Sequence, residues 1–377
     1  MRCPRCKSGN LIKIGHLIYC RNCISFGQVR AHQQAPKLMT FTHPKSIYYD
    51  LSYDLSVKQQ EIASAVVDAI HKHQHVLIQA VCGSGKTELV YPCICDSLNR
   101  QLNVGFACPR KDLAIELYDR LSSQLKNVEI ALVYGGHTND LYKPLVVLTT
   151  HQLYRYWHYF DVLIIDEVDA FPFYGNTQLY QMAVASNRGS FVMMSATSFE
   201  GAPPKGFVKF TLNRRYHDHD LPVPRLIWLP DYLSLFYLYY SVKKCLCKDQ
   251  LVMVFVPTVQ DLYRLQLFFK QMHLSCEYVH SNSEDISQVL SRFRNKSNRV
   301  LLTTTLLERG VTFENVQVFV YRADHRVFST STLIQIAGRV GRKPNYPSGL
   351  VVFIGRHLSK EMKACRKHLR LKNALSA

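Results

Sequence analysis

The sequence contains no long apolar run. Its most apolar stretch, Tyr232–Tyr240, falls well short of the ~18 residues that suggest a membrane span. The opening segment, MRCPRCKSGN, lacks the apolar region of a secretory leader. Together these absences lead us to expect a cytoplasmic protein, one that reaches the inner face of a membrane only through partners. Acidic residues are scarce, with 28 Asp and Glu against 46 Lys and Arg, a net charge of +18. The deficit is uneven. Residues 1–50 carry 8 basic and 1 acidic side chains, residues 51–210 carry 13 and 15, and residues 211–377 carry 25 and 12. A near-neutral middle with two basic flanks suits a polyanion such as nucleic acid, although a basic surface that only confers solubility has the same composition.

Twelve cysteines in such a chain argue for thiols and metal rather than disulfides. Four of them form a C-x2-C-x13-C-x2-C pattern, Cys3, Cys6, Cys20 and Cys23. Each CxxC turn aims two thiolates at one ion, so the spacing predicts a closed tetrahedral zinc site, with iron or a redox dithiol as alternatives. The basic residues around it fit a small nucleic-acid or partner module over residues 1–35. Residues 36–50 read as a linker, with Pro44 and no clean periodicity.

From residue 51, apolar strand-like runs alternate with helical stretches, the pattern of a parallel α/β fold. Ser56 is a candidate helix cap. Within that helix Gln59, with Gln60 as its competitor, is placed to read an adenine edge. The run Val76–Val81 leads into Gly83-Ser84-Gly85-Lys86-Thr87 and a helix start, the context of a phosphate loop. Glycines let backbone N–H groups approach phosphates. Lys86 would reach the β and γ phosphates, and the Thr87 hydroxyl would hold Mg²⁺. Val162–Ile165 is an uninterrupted apolar run closed by Asp166 and Glu167. Acids at the carboxyl end of a buried parallel strand can hold Mg²⁺ and polarise an attacking water. Arg214–Pro224 reads as a connector from residues 213 to 224, after which the alternation resumes over residues 225–377. There Arg339 and Arg342 are expected on one helical face, as an arginine finger requires.

In order and spacing, these residues resemble the superfamily-2 DEAD-box-type helicases. The resemblance covers residues 51–356 and runs through Gln59, GSGKT, Cys108–Arg110, Thr149–Leu153, DEVD (Asp166–Asp169), Ser195–Thr197, Thr303–Phe313 and Gln335–Arg342. The four-cysteine module directly before the motor, the run DEVDAFPF and the segments ERGVTF and QIAGRVGR resemble more closely the ComFA competence ATPases of Gram-positive bacteria. The resemblance implies two RecA-like lobes, residues 51–212 and 225–377, and a DNA-stimulated ATPase that drives DNA, single-stranded in our expectation, through uptake during natural competence. It also implies partners of the ComFC, DprA and ComEC type. Gly83, Ser84, Gly85, Lys86, Thr87 and Gln59 would bind ATP, Thr87 and Asp166 would hold Mg²⁺, and Glu167 would activate water. Gln335, Arg339 and Arg342 would complete the site from the second lobe as the lobes close around ATP. Ser195 and Thr197 would couple nucleotide state to strand grip. Pro109, Arg110, Thr149, Thr150, Thr303 and Thr304 would touch the DNA backbone. Ala80 stands where the phosphate loop usually has its first glycine. Thr312 stands where many relatives carry an Asp, so that residue's contacts are not transferred.

A replication-restart helicase of the PriA type and a nucleotide-gated clamp without turnover are the competing readings. The catalytic residues Lys86, Asp166, Glu167 and Arg342 disfavour the clamp. Tyr154, Tyr156 and Trp157 are candidates either for base stacking or for packing. Arg356, Lys360, Lys363, Lys367 and Arg370 recur at helical spacing opposite Leu358, Met362, Cys365 and Leu369, which predicts a basic amphipathic helix near the carboxyl end.

Overall fold

The computed structural model describes residues 2–3, 5–15, 17–26, 39–42, 45–51, 53–169, 171–196, 206–283, 285–308 and 312–375. The chain divides into two compact units. The first comprises Met1–Ala80 and Gly85–Leu212, and the second Val81–Ser84 and Asn213–Ala377.

The first unit opens with a hairpin, β1 (Leu11–Ile14) and β2 (Leu17–Cys20), whose antiparallel register pairs Leu11 with Cys20. Tyr48–Tyr49 (β3) follows, and then helix α1 (Val57–His71). Ser56 caps α1 in a capping box: its side chain accepts the Gln59 N–H while the Gln59 side chain accepts the Ser56 N–H. Next come β4 (His75–Ala80), α2 (Lys86–Leu89), α3 (Tyr91–Asn99), β5 (Val104–Cys108), α4 (Lys111–Gln124) and β6 (Leu125–Lys126). The unit is completed by β7 (Ile130–Val133), β8 (Leu145–Thr149), β9 (Phe160–Ile165), α5 (Thr177–Ser186), β10 (Asn187–Ser195) and β11 (Phe207–Leu212). The main sheet has the order β11-β4-β10-β9-β5-β8-β7, and every pairing in it is parallel.

Alternation along its strands fills two cores. Val76, Ile78, Val162 and Ile164 pack with α1, α3 and α4, whereas Leu77, Leu163 and Ile165 pack with α5 and the aromatic rings of Tyr156, Tyr159 and Phe160. A sheet covered on both faces buries its central strands, which is why β9 reads as a continuous apolar run.

The second unit repeats the design. Its elements are β12 (Arg225–Trp228), α6 (Asp231–Leu246), β13 (Leu251–Phe255), α7 (Val259–Gln271), β14 (Glu277–Val279), α8 (Ile286–Arg294), β15 (Val300–Thr303), β16 (Val316–Tyr321), α9 (Thr330–Ala337), β17 (Val351–Gly355) and α10 (Lys360–Ala374). Its sheet order is β12-β17-β16-β13-β15-β14, again with parallel pairings throughout. Met362, Cys365 and Leu369 of α10 are buried in its core, while Lys360, Lys363, Lys367 and Arg370 are exposed. Arg356 is not part of that helix. It precedes the Ser359 cap and forms an ion pair with Asp231.

Two segments read as connectors pack as structure. Ile47 is buried, its N–H donates to Asn99 Oδ1 at 2.8 Å, and β3 pairs with β6. Leu221 is buried in the second unit, and its N–H donates to Asn373 Oδ1 at 2.9 Å. Within the described residues, no helix is long and apolar enough to cross a membrane.

Gly105 of β5 allows Phe160 to approach. A Cβ there would lie 2.8 Å from two Phe160 ring carbons and 2.9 Å from Leu163 Cδ1, whereas a Cβ on Gly135 would meet nothing within 4 Å. Gly105→Ala should therefore lower the unfolding free energy by about 1–3 kcal/mol, the usual cost of overpacking. Gly135→Ala should leave it nearly unchanged. Urea denaturation of the two variants checks both outcomes.

Candidate active site

Parallel pairing brings the carboxyl ends of the strands to one edge of each sheet. In the first unit the β4, β10 and β9 ladders put Gln79 beside Ser195 and Met193 beside Ile165. The segments after β4 and β9, separated by one strand, therefore open onto the same edge. Lys86 Nζ lies 3.6 Å from Asp166 Oδ1 there. Gly83 and Gly85 adopt φ of 79° and 75°, backbone conformations that favour glycine. A Cβ on Gly85 would lie 2.5 Å from Gln59 Nε2, so glycine is also required for packing at this position.

The helix that begins at Lys86 stops at Leu89 and restarts at Tyr91. Pro92, near the start of α3, has no N–H to give the Glu88 carbonyl, so the two helices cannot be continuous. Glu88 is buried and accepts from Tyr53 Oη at 3.0 Å and Arg120 Nη1 at 3.3 Å. This support for the start of the helix after Gly85 was not visible in the sequence, because Tyr53 and Arg120 lie in no motif.

Asp166 Oδ1 accepts the Glu167 N–H at 2.7 Å, and Glu167 itself has a positive φ of 53°. Desolvation pushes the Asp166 carboxyl above its ordinary value. The Lys86 charge opposes that shift and Glu167 adds to it. The hydroxyl of Thr87 and the carboxylate of Asp166 are each hard oxygen donors, the kind that suits Mg²⁺. Gln59 is buried and Gln60 exposed. The Gln59 carbonyl oxygen serves the cap of α1, so contact with an adenine edge requires that bond to be shared. Ser195 is buried at the end of β10, and Thr197 lies outside the described residues.

The proposed strand-contact residues occupy the same edges. Pro109 and Arg110 follow β5, Thr149 ends β8 and Thr150 follows it, and Thr303 ends β15 and Thr304 follows it. Thr149, Thr150 and Thr303 are buried, and Arg110 forms an ion pair with Asp112 at 3.7 Å. Tyr156 is a packing residue: it is buried and its hydroxyl donates to the Leu141 carbonyl at 2.8 Å.

In the second unit Gln335 lies on α9, but Arg339 and Arg342 fall in a turn beyond its end rather than on a helical face. The positive φ of Gly341, 70°, is incompatible with a continued helix. Arg339 Nε donates to the Glu308 carbonyl at 2.9 Å, and Arg342 Nε donates to the Gly338 carbonyl at 3.0 Å. Residues from the segment read as a connector hold this turn. Arg215 donates to the Gly341 carbonyl, His217 Nε2 lies 2.9 Å from the same oxygen, and Tyr216 Oη donates to the Arg342 carbonyl at 3.0 Å. Burial, with Arg342 nearby, lowers the Arg215 pKa to about 10.

Among the described residues, Cys3, Cys6, Cys20 and Cys23 are all buried and offer sulfur atoms that lie within 4.8 Å of one another. Four soft donors in so small a volume fit one zinc ion. Burial pushes the Cys6 thiol up to about 11 and raises Cys23 further, so a cation is needed to hold all four as thiolates. Cys93, Cys95, Cys108, Cys245 and Cys365 are buried elsewhere, whereas Cys247 is exposed.

This arrangement defines a helicase-type ATPase of superfamily 2. Residues 60–202 match the DEAD/DEAH box helicase family and residues 238–344 the helicase conserved C-terminal domain. Solved structures with the same fold include the Mycobacterium smegmatis helicase Lhr bound to ssDNA and AMP-PNP. It has a TM-score of 0.61 and 16% identity, over 85% of this chain and 50% of that one. S. cerevisiae Dbp5 bound to RNA and ADP BeF3 gives a TM-score of 0.60 and 15% identity, over 84% of this chain and 91% of that one. The chain is 36% identical to "Competence protein ComFA" of Bacillus subtilis (strain 168), over 96% of this chain and 81% of the relative. It is 34% identical to the protein of that name from Streptococcus pneumoniae (strain ATCC BAA-255 / R6), over 98% and 90%. The chain belongs to the ComFA family of competence proteins.

Metal analysis of the purified protein should find about one zinc per chain, the stoichiometry of a single S4 site. Cys3→Ser or Cys23→Ser should abolish that zinc and expose residues 2–26 to limited proteolysis, because small metal modules fold with their ion. A metal-free native protein that resists protease would exclude the assignment.

Proposed function

We propose that this chain is a DNA-stimulated, ATP-hydrolysing translocase that moves DNA, preferentially single-stranded, during competence. The Lys86–Asp166 approach at 3.6 Å carries the reading, since it joins the phosphate loop to the acidic strand end. Lys86 would neutralise the β and γ phosphate oxygens, and Thr87 with Asp166 would hold Mg²⁺. Bound there, Mg²⁺ would neutralise charge that builds on the phosphates during transfer. Glu167 would orient and polarise a water for in-line attack on the γ phosphorus, with ADP leaving through the β–γ bridging oxygen. Gln335, Arg339 and Arg342 would act on the same nucleotide from the second unit. Ser195 and Thr197 would relay nucleotide state to the strand contacts.

Arg110 and Thr304 would meet DNA phosphates through side chains, whereas Pro109, Thr149, Thr150 and Thr303, being buried, would shape the backbone that does so. Such contacts are sequence-tolerant, as uptake requires. Competence partners of the ComFC, DprA and ComEC type would bring the motor to the membrane. The names of the relatives at 34–36% identity support the competence setting.

Lys86→Ala should abolish hydrolysis, and Glu167→Gln should lower turnover by about 10²- to 10⁴-fold, the range for losing a general base. DNA affinity should survive in both, because the strand contacts use other residues. Turnover and DNA titrations on each variant check this, and retained hydrolysis in both would remove the motor assignment.

The exposed face of α10 would serve as a phosphate rail. Replacing Lys360, Lys363, Lys367 and Arg370 with Gln should weaken single-stranded DNA binding and flatten its salt dependence, by up to ~0.7 in slope per lost phosphate contact. Thermal stability should barely move, since Met362, Cys365 and Leu369 keep the helix docked. An unchanged slope would exclude the rail.

A further inference from the structure

The turn Thr150–Arg155 follows β8 directly and faces the four-cysteine module. Three groups surround the Tyr154 ring: the Arg5 guanidinium 5.0 Å from its centroid, the Arg155 guanidinium at 4.8 Å and the Phe26 ring at 5.4 Å. Phe26 also stacks on His151 of the same turn, with centroids 6.3 Å apart and planes 22° off parallel. With these neighbours, Tyr154 is a docking residue rather than a platform for bases.

The two groups contributed by the module are held by its cysteine turns. Arg5 lies between Cys3 and Cys6, and its Nη1 donates to the Phe26 carbonyl at 3.1 Å. Phe26 ends the short turn after Cys23, and its N–H donates to the Cys23 carbonyl at 2.9 Å. Asn22, beside Cys23, is fixed from the other side, where its carbonyl accepts from Gln178 Nε2 of α5 at 2.5 Å. Both cysteine pairs therefore have a side chain or carbonyl committed to the body of the first unit. On the same turn, Thr150 is buried, and its hydroxyl has no hydrogen-bond partner among the described residues, so that hydroxyl does not fix the side chain.

We propose that the four-cysteine module positions the strand-contacting edge of the motor. Metal in the thiolate site fixes Arg5 and Phe26, these clamp Tyr154 and His151, and the clamped turn holds Thr149 and Thr150 in the shape that meets DNA. Metal occupancy then sets the grip on the strand from a distance, through Arg5, Phe26 and the turn they clamp. This rests on the reading of Thr149 and Thr150 as strand contacts.

Arg5→Gln and Tyr154→Leu in the full-length protein separate the module from the turn and leave all four thiols in place. Each should keep its zinc. Single-stranded DNA affinity should fall about five- to thirty-fold, the equivalent of one or two cation–π contacts. Arg5→Gln should retain basal hydrolysis. Removing the metal by Cys23→Ser should give a similar loss of affinity, and adding Tyr154→Leu to that variant should cost nothing more, because the two changes break one chain of contacts. Hydrogen exchange over residues 149–156 should quicken in Tyr154→Leu and after chelation alike, while residues 160–165 of β9 stay protected.

Zinc-loaded variants that bind DNA as tightly as the parent would overturn the proposal, as would additive losses in the double variant. Exchange over residues 149–156 that ignores both the substitutions and chelation would also overturn it, even if the parent binds no DNA. In that last case the strand-contact reading fails as well, and the exchange result still decides whether metal and turn are coupled.

Discussion

Strand direction is the constraint on which the rest of the molecule depends. Once every strand of a sheet runs the same way, each loop that follows a strand emerges on one edge, and residues far apart in sequence meet there without any contact designed for the purpose. Lys86 after β4, Ser195 at the end of β10 and Asp166 after β9 become neighbours because their strands are. Burial of both sheet faces enforces the arrangement, since helices must cover Val162 and Ile164 on one side and Leu163 and Ile165 on the other. A sheet of mixed direction would have divided these groups between opposite edges.

Much of this was legible in the sequence where chemistry and periodicity coincide. Val162–Ile165 is apolar without interruption because both its faces are buried, and the acids beyond it mark the edge. Ser56 and Gln59 announce the start of α1 because a capping box needs those residue types at that spacing. The four cysteines were legible because two closely spaced pairs can bring four sulfur atoms within reach of one another, as they do here.

What was not legible depends on partners distant in sequence. Strand β11 is only half buried along most of its length and β12 is half-buried at its centre and exposed at both ends, so neither shows a clear apolar pattern. Arg215, Tyr216 and His217 look like a charged connector, yet they hold the turn that carries Arg339 and Arg342. Nothing near them in sequence reveals the carbonyls they serve. Arg356 fits the helical spacing of the basic face by arithmetic alone, but the Ser359 cap starts the helix after it and Asp231 takes its charge. Tyr154 offered two readings, and the choice turned on Arg5 and Phe26 from a separate module.

The distribution of thiols bears on how the protein can be handled at the bench. Burial pushes Cys93 and Cys95 up to about 12 and Cys245 and Cys276 up to about 11, so at neutral pH they stay protonated and largely shielded. Cys247, just past the end of α6, is the exposed cysteine among the described residues. A maleimide dye should therefore tag Cys247 in the second unit ahead of the half-buried Cys276, with all twelve native cysteines in place. The motor thus carries its own attachment point for fluorescence work.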